Sequence, residues 1–229
     1  MSLEVCSNVK QSVFCLALAF LSALTASGQS AAVPVDIYVD FQHAAPQAVV
    51  QALRAEVESI MAPAGIRFQW WPLSEFRSER VSAAVVVAHF EARCDLGGLV
   101  MRANQPGSLG WTEISGGTVL PFTHVDCARV RTFLQTALLG YRPKDQEFVY
   151  GRALGRVFAH ELYHVFAVTS KHADCGVAKE DYSVKDLLVP DFHLHEKQVG
   201  ALRARRALAA LKAARDPLSA RPAASAMRQ

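Results

Sequence analysis

The sequence of 229 residues lacks a strong charge of either sign, since its formal net charge is only +3. Its basic residues are scattered along the chain, so composition gives no support for nucleic-acid binding. It also lacks an apolar run of the roughly 20 residues that a transmembrane helix needs, which argues against a stable membrane anchor. Because 51% of the residues are hydrophobic, the chain can instead bury the core of an ordinary globular domain.

The N-terminal residues have the layout of a secretory signal peptide. Lys10 precedes an apolar run at 13–24, and the small residues Ala26-Ser27-Gly28 follow that run. A basic start, a short apolar segment and a small-residue cleavage site are the three parts of such a peptide. The sequence therefore predicts a signal peptide at 1–28 and a mature protein that is secreted or periplasmic.

Cysteine is scarce in the predicted mature chain, which retains Cys94, Cys127 and Cys175. In an oxidising compartment three thiols permit one disulfide. We favour the pair Cys94–Cys127, because both residues end strand-like segments. The other two pairings stay open at this stage.

Hydrophobic periodicity predicts one α+β domain at 29–216, followed by a disordered tail at 217–229. An unbroken apolar run at 81–90 indicates a strand that is covered on both faces, and glycines at 116 and 117 indicate a hairpin. The arginines of the last helix are interpreted as a solvated face. Strands are predicted at 34–41, 66–72, 81–90, 109–114 and 118–125, and helices at 45–61, 128–139, 146–169 and 194–215.

The sequence HELYH, which begins at His160, lies within the third predicted helix. Residues four apart on a helix lie one turn apart, so His160 and His164 can share one cation. Glu161 is displaced around the helix, where it can contact a water molecule without being a ligand. The motif predicts a zinc ion held by two histidines, with Glu161 as a base.

On this motif and on the order of its elements, the chain resembles the metzincin-like zinc peptidases of the zincin group. The resemblance implies a zincin-like fold, in which a mixed five-stranded sheet (β-α-β-β-β) precedes the active-site helix and a C-terminal helix. It implies that His160 and His164 bind Zn²⁺ and that Glu161 is the general base. It also implies that the strand at 109–114 pairs with a peptide or protein substrate, with Gly110 allowing close approach.

The family pattern HExxHxxGxxH fails after the second histidine, because Ala167 and Ser170 occupy the glycine and third-histidine positions. His172 would stand about 12 Å beyond His164 on a continuous helix, so the helix must end first. Thr169 and Ser170 are weak helix formers. We therefore expect His172 to be the third zinc ligand, while Glu180, Asp174 and Cys175 remain alternatives.

These residues predict a secreted zinc metalloendopeptidase that hydrolyses peptide bonds with a zinc-activated water and Glu161 as general base. The alternatives are a non-catalytic secreted zinc-binding protein of the same fold and a gluzincin-like peptidase that uses Glu180 as its third ligand. Tyr182 is a candidate for stabilising the oxyanion. No methionine lies between Met101 and Met227, so Leu187 or Leu188 is expected to replace the family's Met-turn. The histidines expected to be structural or surface residues are His43, His89, His124, His193 and His195.

Overall fold

The computed structural model describes residues 34–80, 82–97, 101–103 and 107–215. The predicted signal peptide and the predicted C-terminal tail lie outside these ranges. Within them, none of the helices combines the length and the apolar character that crossing a bilayer requires.

Five strands and five α-helices make up the described part of the chain. The strands are β1 (Val35–Phe41), β2 (Phe68–Pro72), β3 (Ala84–Glu91), β4 (Gly110–Ser115) and β5 (Thr118–Asp126). The helices are α1 (Gln47–Met61), α2 (Cys127–Leu138), α3 (Pro143–Ala167), α4 (Val184–Leu188) and α5 (Glu196–Arg215).

The strands form one sheet in the order β2-β1-β3-β5-β4. Parallel pairs join β1 to β2, β1 to β3 and β3 to β5, whereas β4 runs antiparallel to β5. Gly116 and Gly117 connect β4 to β5 with φ angles of 56° and 78°, which a tight hairpin turn requires. The α+β class, the mixed five-stranded sheet and its β-α-β-β-β order are therefore confirmed, and β4 lies at the edge.

Helix α3 packs closely against α1 because two glycines one turn apart remove side chains from the contact. A Cβ on Gly151 would lie 2.5 Å from the carbonyl oxygen of Val49, and one on Gly155 would lie 2.7 Å from that of Leu53. Phe158 of α3 in turn contacts Phe90 of β3, with ring centroids 5.5 Å apart. Helix α3 is thus buried between α1 and the sheet.

The prediction that the third strand is covered on both faces is wrong. Val86, Ala88 and Phe90 are buried, but they alternate with less buried residues, and Val85 is 37% exposed. The reason is that α3 packs on the face that carries Phe90. An apolar run shows that a strand has a core face but does not show what covers its other face.

Histidines on the outer face of the sheet bond to carboxylates, as expected for structural residues. His89 and His124 stack with ring centroids 5.0 Å apart. His89 lies 3.1 Å from the Asp40 carboxylate, while the two ring nitrogens of His124 lie 3.0 Å from Glu91 and 3.1 Å from Glu113. These contacts join β1, β3, β5 and β4 on the side away from α3.

The predicted disulfide between Cys94 and Cys127 is confirmed, with a Cα–Cα distance of 4.9 Å. Both cysteines are fully buried. The bond ties the segment after β3 to the first residue of α2. The hydroxyl of Tyr150 on α3 donates to the carbonyl oxygen of Cys127 at 2.6 Å, so the same point also anchors α3.

Three helical predictions need correction. Helix α3 spans Pro143–Ala167 rather than 146–169, with the proline near its first position, where a missing N–H costs nothing. Helix α4 was not predicted, although Ser183 and Asp186 form a capping box that marks its start. Two arginines of α5 are not simply solvated, since Arg203 donates to the carbonyl oxygen of Pro63 at 2.9 and 2.6 Å and Arg206 donates to that of Ala64 at 3.1 Å.

A buried ion-pair network joins α1, α3 and the segment around α4. Arg156 is fully buried and its Nε lies 2.7 Å from Glu56 Oε1, while Arg152 Nε lies 3.0 Å from Glu56 Oε2. Arg156 also donates to the carbonyl oxygen of Asp186 at 3.0 Å and lies over the ring of Phe192. Glu56 therefore compensates the charge of two arginines, one of which has no access to solvent.

We expect Glu56→Ala to lower the free energy of unfolding by about 3 to 5 kcal/mol, because it leaves the buried Arg156 charge without a partner. Glu58→Ala is the matched control, since Glu58 lies on the exposed side of the same helix and accepts one hydrogen bond from Trp70. Its loss should be about 1 kcal/mol. Urea unfolding followed by circular dichroism measures both, and equal losses would contradict the role of the network.

Candidate active site

The three residues of the HELYH motif that carry chemistry are buried in the last two turns of α3. His160, Glu161 and His164 are at most 7% exposed. Each histidine is held by a backbone carbonyl of the chain that follows the helix: His160 Nδ1 lies 2.8 Å from the oxygen of Val177, and His164 Nδ1 lies 2.7 Å from that of Thr169. Because a carbonyl oxygen only accepts, both Nδ1 atoms carry the proton.

With both protons on Nδ1, the two Nε2 atoms present lone pairs to each other at a distance of 3.0 Å. Burial lowers the pKa of His160 to about 4, despite the opposing hydrogen bond to Val177, and also lowers the pKa of His164. Two neutral acceptors at this distance repel each other, and a cation that both nitrogens bind would remove this repulsion. The pair therefore fits a metal-binding role better than a purely structural one.

The chain leaves α3 at Val168, which has a left-handed backbone conformation with φ 49° and ψ 56°. The N–H of Thr169 then donates to the carbonyl oxygen of His164 at 3.1 Å, which closes the helix. The predicted helix end at about residue 169 was therefore two residues late. Val168, a β-branched residue, thus provides the left-handed exit from the helix that glycine provides in the metzincin pattern.

After this exit the chain brings His172 back to the two buried histidines. Its ring centroid lies 5.2 Å from that of His160 and 4.9 Å from that of His164. One ligand atom from each of the three residues lies within 4.8 Å of the other two. The alternative third ligands Glu180, Asp174 and Cys175 do not belong to this cluster, as found among the described residues.

The donor set of the cluster suits zinc. Three imidazole nitrogens are a common ligand set for Zn²⁺ in sites that keep a fourth position open. The carbonyls of Val177 and Thr169 supply the hydrogen bonds that orient metal-ligating histidines in proteins. His172 is exposed, whereas the other two are buried, so the cluster is accessible to solvent on the His172 side.

Glu161 projects towards the edge strand β4. The Thr112 hydroxyl donates to its Oε2 at 2.8 Å. Burial raises the pKa of Glu161 to about 7, although this hydrogen bond opposes the shift. A Cβ on Gly110 would lie 2.8 Å from the carbonyl oxygen of His124, 2.9 Å from Val157 and 3.1 Å from Glu161 Oε1. The close approach that Gly110 allows is therefore to both β5 and α3.

Tyr182, which follows the histidine cluster in the sequence, packs against it. Its ring makes an edge contact with His160 at 5.5 Å between centroids. Its hydroxyl donates to the Val177 oxygen, the same carbonyl that holds His160. This contact supports the interpretation of Tyr182 as a packing residue, which its sequence context favours over the oxyanion role for which it is a candidate. Leu187, a candidate for the floor of the site, is buried in the same hydrophobic core as α3.

A cleft of about 680 Å³ contains the cluster. Its lining comes from β4, including Thr112 and Ile114, and from the chain after α3, including Ser170 and Asp181. Arg129 and Phe133 of α2 also line it. The cleft gives an extended molecule access to the histidines and to Glu161 at once.

Four groups that complete this arrangement were not identified from the sequence. The carbonyls of Val177 and Thr169 carry no sequence signal, because every residue has one. The left-handed Val168 contradicts the usual preference for glycine or asparagine. Thr112 was recognisable only as a residue of a strand, since its contact with Glu161 spans 49 positions.

A comparison with solved structures finds a likeness to the crystal structure of archaemetzincin from Methanopyrus kandleri. The two chains are 11% identical with a TM-score of 0.46, and the match covers 78% of this chain and 98% of that one. No protein-family model and no curated protein sequence matches the chain. At this level of identity, the likeness concerns the fold only.

We expect Val168→Gly to raise the free energy of unfolding by about 0.5 to 1 kcal/mol. Glycine removes roughly 1 to 2 kcal/mol of left-handed strain and restores about 0.5 to 1 kcal/mol of chain entropy to the unfolded state. Val168→Ala keeps a Cβ and should gain less than the glycine variant. If urea unfolding shows Val168→Gly to be less stable than the parent, the side chain contributes more to the turn than the strain costs.

Proposed function

We propose that the protein is a zinc metallopeptidase that hydrolyses peptide bonds in its β4 cleft. The observation that carries this proposal is the meeting of three histidines with a carboxylate in one cleft. The histidines offer nitrogens within 4.8 Å of one another, and Glu161 lies beside them on α3 without belonging to the cluster. A site that only stabilised the fold would need no base in that place.

His160, His164 and His172 would hold the zinc ion, with the first two fixed by the carbonyls of Val177 and Thr169. When bound, zinc supplies Lewis acidity, which polarises a peptide carbonyl and lowers the pKa of a water molecule. Glu161 takes the proton of the attacking water on its carboxylate and returns it to the leaving amine. Thr112 keeps that carboxylate directed to the cleft.

Strand β4 offers the substrate a backbone partner. It pairs with β5 on one side and is the last strand of the described sheet on the other. An extended peptide can add to such an edge through main-chain hydrogen bonds, which bind any sequence. The substrate backbone would then run along the cleft past Glu161 and the three histidines.

We also propose that the protein is secreted or periplasmic. The pattern at 1–28 is that of a signal peptide, and the Cys94–Cys127 disulfide suits an oxidising compartment. The gluzincin-like alternative is less well supported, because Glu180 lines the cleft but lies outside the histidine cluster. The non-catalytic alternative leaves the buried Glu161 and the cleft without a purpose.

The mature protein should bind close to one zinc ion per chain, and His172→Ala should lose most of it because two ligands remain. Glu180→Ala is the matched control, since it removes an acidic group from the same cleft and should retain the metal. Metal analysis of the three purified proteins measures this. Zinc kept in His172→Ala but lost in Glu180→Ala would overturn the ligand assignment, and a parent without zinc would remove the peptidase proposal.

Glu161→Gln should keep zinc and fold but lose about a hundredfold or more of its peptidase activity, the scale for a positioned acid-base group. The amide keeps the size of the side chain and cannot take the proton. Activity on an unfolded protein, zinc content and thermal unfolding would be measured together. Undiminished activity would assign the proton transfer to another residue, and joint loss of zinc and activity would give Glu161 a role in metal binding.

A further inference from the structure

Strand β4 divides its side chains between two faces, and Thr112 is the one that contacts Glu161. Its neighbours serve the outer face: Trp111 stacks on His124 with centroids 4.7 Å apart, and Glu113 lies 3.1 Å from a ring nitrogen of the same histidine. Side chains alternate along a strand, so anchoring both neighbours outside directs Thr112 inward. Its orientation is thus fixed by contacts that do not involve the active site.

The Thr112 hydroxyl reaches two oxygens of one residue. It lies 2.8 Å from Glu161 Oε2 and 3.2 Å from the Glu161 carbonyl oxygen. A hydroxyl has one proton to donate. The contact with the carboxylate oxygen Oε2 is the stronger of the two, because it is shorter and a carboxylate can carry a negative charge. The hydrogen bond therefore holds one carboxylate oxygen and leaves Oε1 without a bond to Thr112.

The β4–β5 pairing shifts register directly after Thr112, because two steps on β4, from Thr112 to Ile114, face four steps on β5, from Thr123 to Val119. Such irregularities bend a strand and are frequent next to active sites. On β4 the residue within the shift is Glu113, which lies 3.1 Å from His124, and His124 also contacts Glu91 of β3 at 3.0 Å. Contacts on the outer face of the sheet therefore hold the residue that follows Thr112.

We propose that Thr112 is a positioning residue that holds the Glu161 carboxylate in the orientation needed for proton transfer. This inference rests on the proposed function, in which Glu161 is the base. A glutamate side chain has three rotatable bonds, so a single fixed oxygen removes much of its freedom. Because β4 is also the strand proposed to pair with the substrate, the base and the scissile bond take their positions from the same strand.

Thr112→Val tests the inference, since valine keeps the shape and the strand propensity of threonine but lacks the hydroxyl. We expect kcat to fall about 10- to 100-fold, the scale for a misplaced catalytic group, while KM changes less than about threefold. Thr112→Ser restores the hydroxyl and should recover kcat to within about threefold of the parent. Zinc content should stay that of the parent in both variants, and thermal unfolding should show that both are folded at the assay temperature.

Thr123→Val is the matched control. Thr123 lies opposite Thr112 in the β4–β5 pairing and is fully buried, but its hydroxyl points to the carbonyl oxygen of Val87 at 3.4 Å. This variant should leave kcat unchanged within about threefold. If Thr123→Val reduces kcat as much as Thr112→Val, the effect belongs to the strand pair as a whole and the inference is wrong.

A double variant separates this inference from the proposed function. If Thr112 acts through the Glu161 carboxylate, adding Thr112→Val to Glu161→Gln should lower the residual activity less than about threefold. A full further decrease would overturn the inference. Loss of activity in Glu161→Gln with none in Thr112→Val would overturn it while the peptidase proposal stands, whereas a parent without peptidase activity would defeat the proposal itself. Should Thr112→Val not fold, Thr112→Ala is compared with Thr112→Ser in the same way.

Discussion

Two backbone carbonyls, those of Val177 and Thr169, determine the geometry of the site. They accept the Nδ1 protons of His160 and His164, which forces the two Nε2 atoms to face each other at 3.0 Å. Both carbonyls belong to the chain that follows α3, so this chain must return over the helix before the histidines can converge. The same return brings His172 to the cluster, and therefore one loop path sets both the orientation of two histidines and the presence of the third.

The return of the chain depends in turn on how α3 is buried. Gly151 and Gly155 let α3 approach α1, and Arg156, one turn before His160, bonds to Glu56 of α1 and to the carbonyl of Asp186. A buried arginine is costly to desolvate, and hydrophobic residues could fill its volume at less cost. Its contacts, however, join α3 to α1 and to the segment around α4. Hydrogen bonds fix the directions of these contacts more precisely than hydrophobic packing would.

Local patterns were sufficient to predict the strands and the main helices, because each depends on periodicity along the chain. They favoured the Cys94–Cys127 pair without excluding the other two pairings. They failed where the outcome depends on contacts between distant segments. The apolar run of β3 could not show that α3 covers only one face, and the strand at 109–114 could not show that Thr112 would meet Glu161. The arginines of α5 were likewise interpreted by composition, whereas Arg203 bonds to Pro63, 140 positions away.

The departure from HExxHxxGxxH shows what the pattern requires physically. The helix needs a left-handed residue to end on, and the third histidine needs enough chain to turn back to the first two. Val168 is the left-handed residue that ends the helix, one position after the glycine position and at the cost of backbone strain. The two additional residues before His172 give the chain enough length to turn back. Glycine lowers the cost of the exit but is not essential to its geometry. A search for the motif by its glycine and its third histidine would therefore miss this arrangement, whereas one that allows a shifted exit and a longer return would find it.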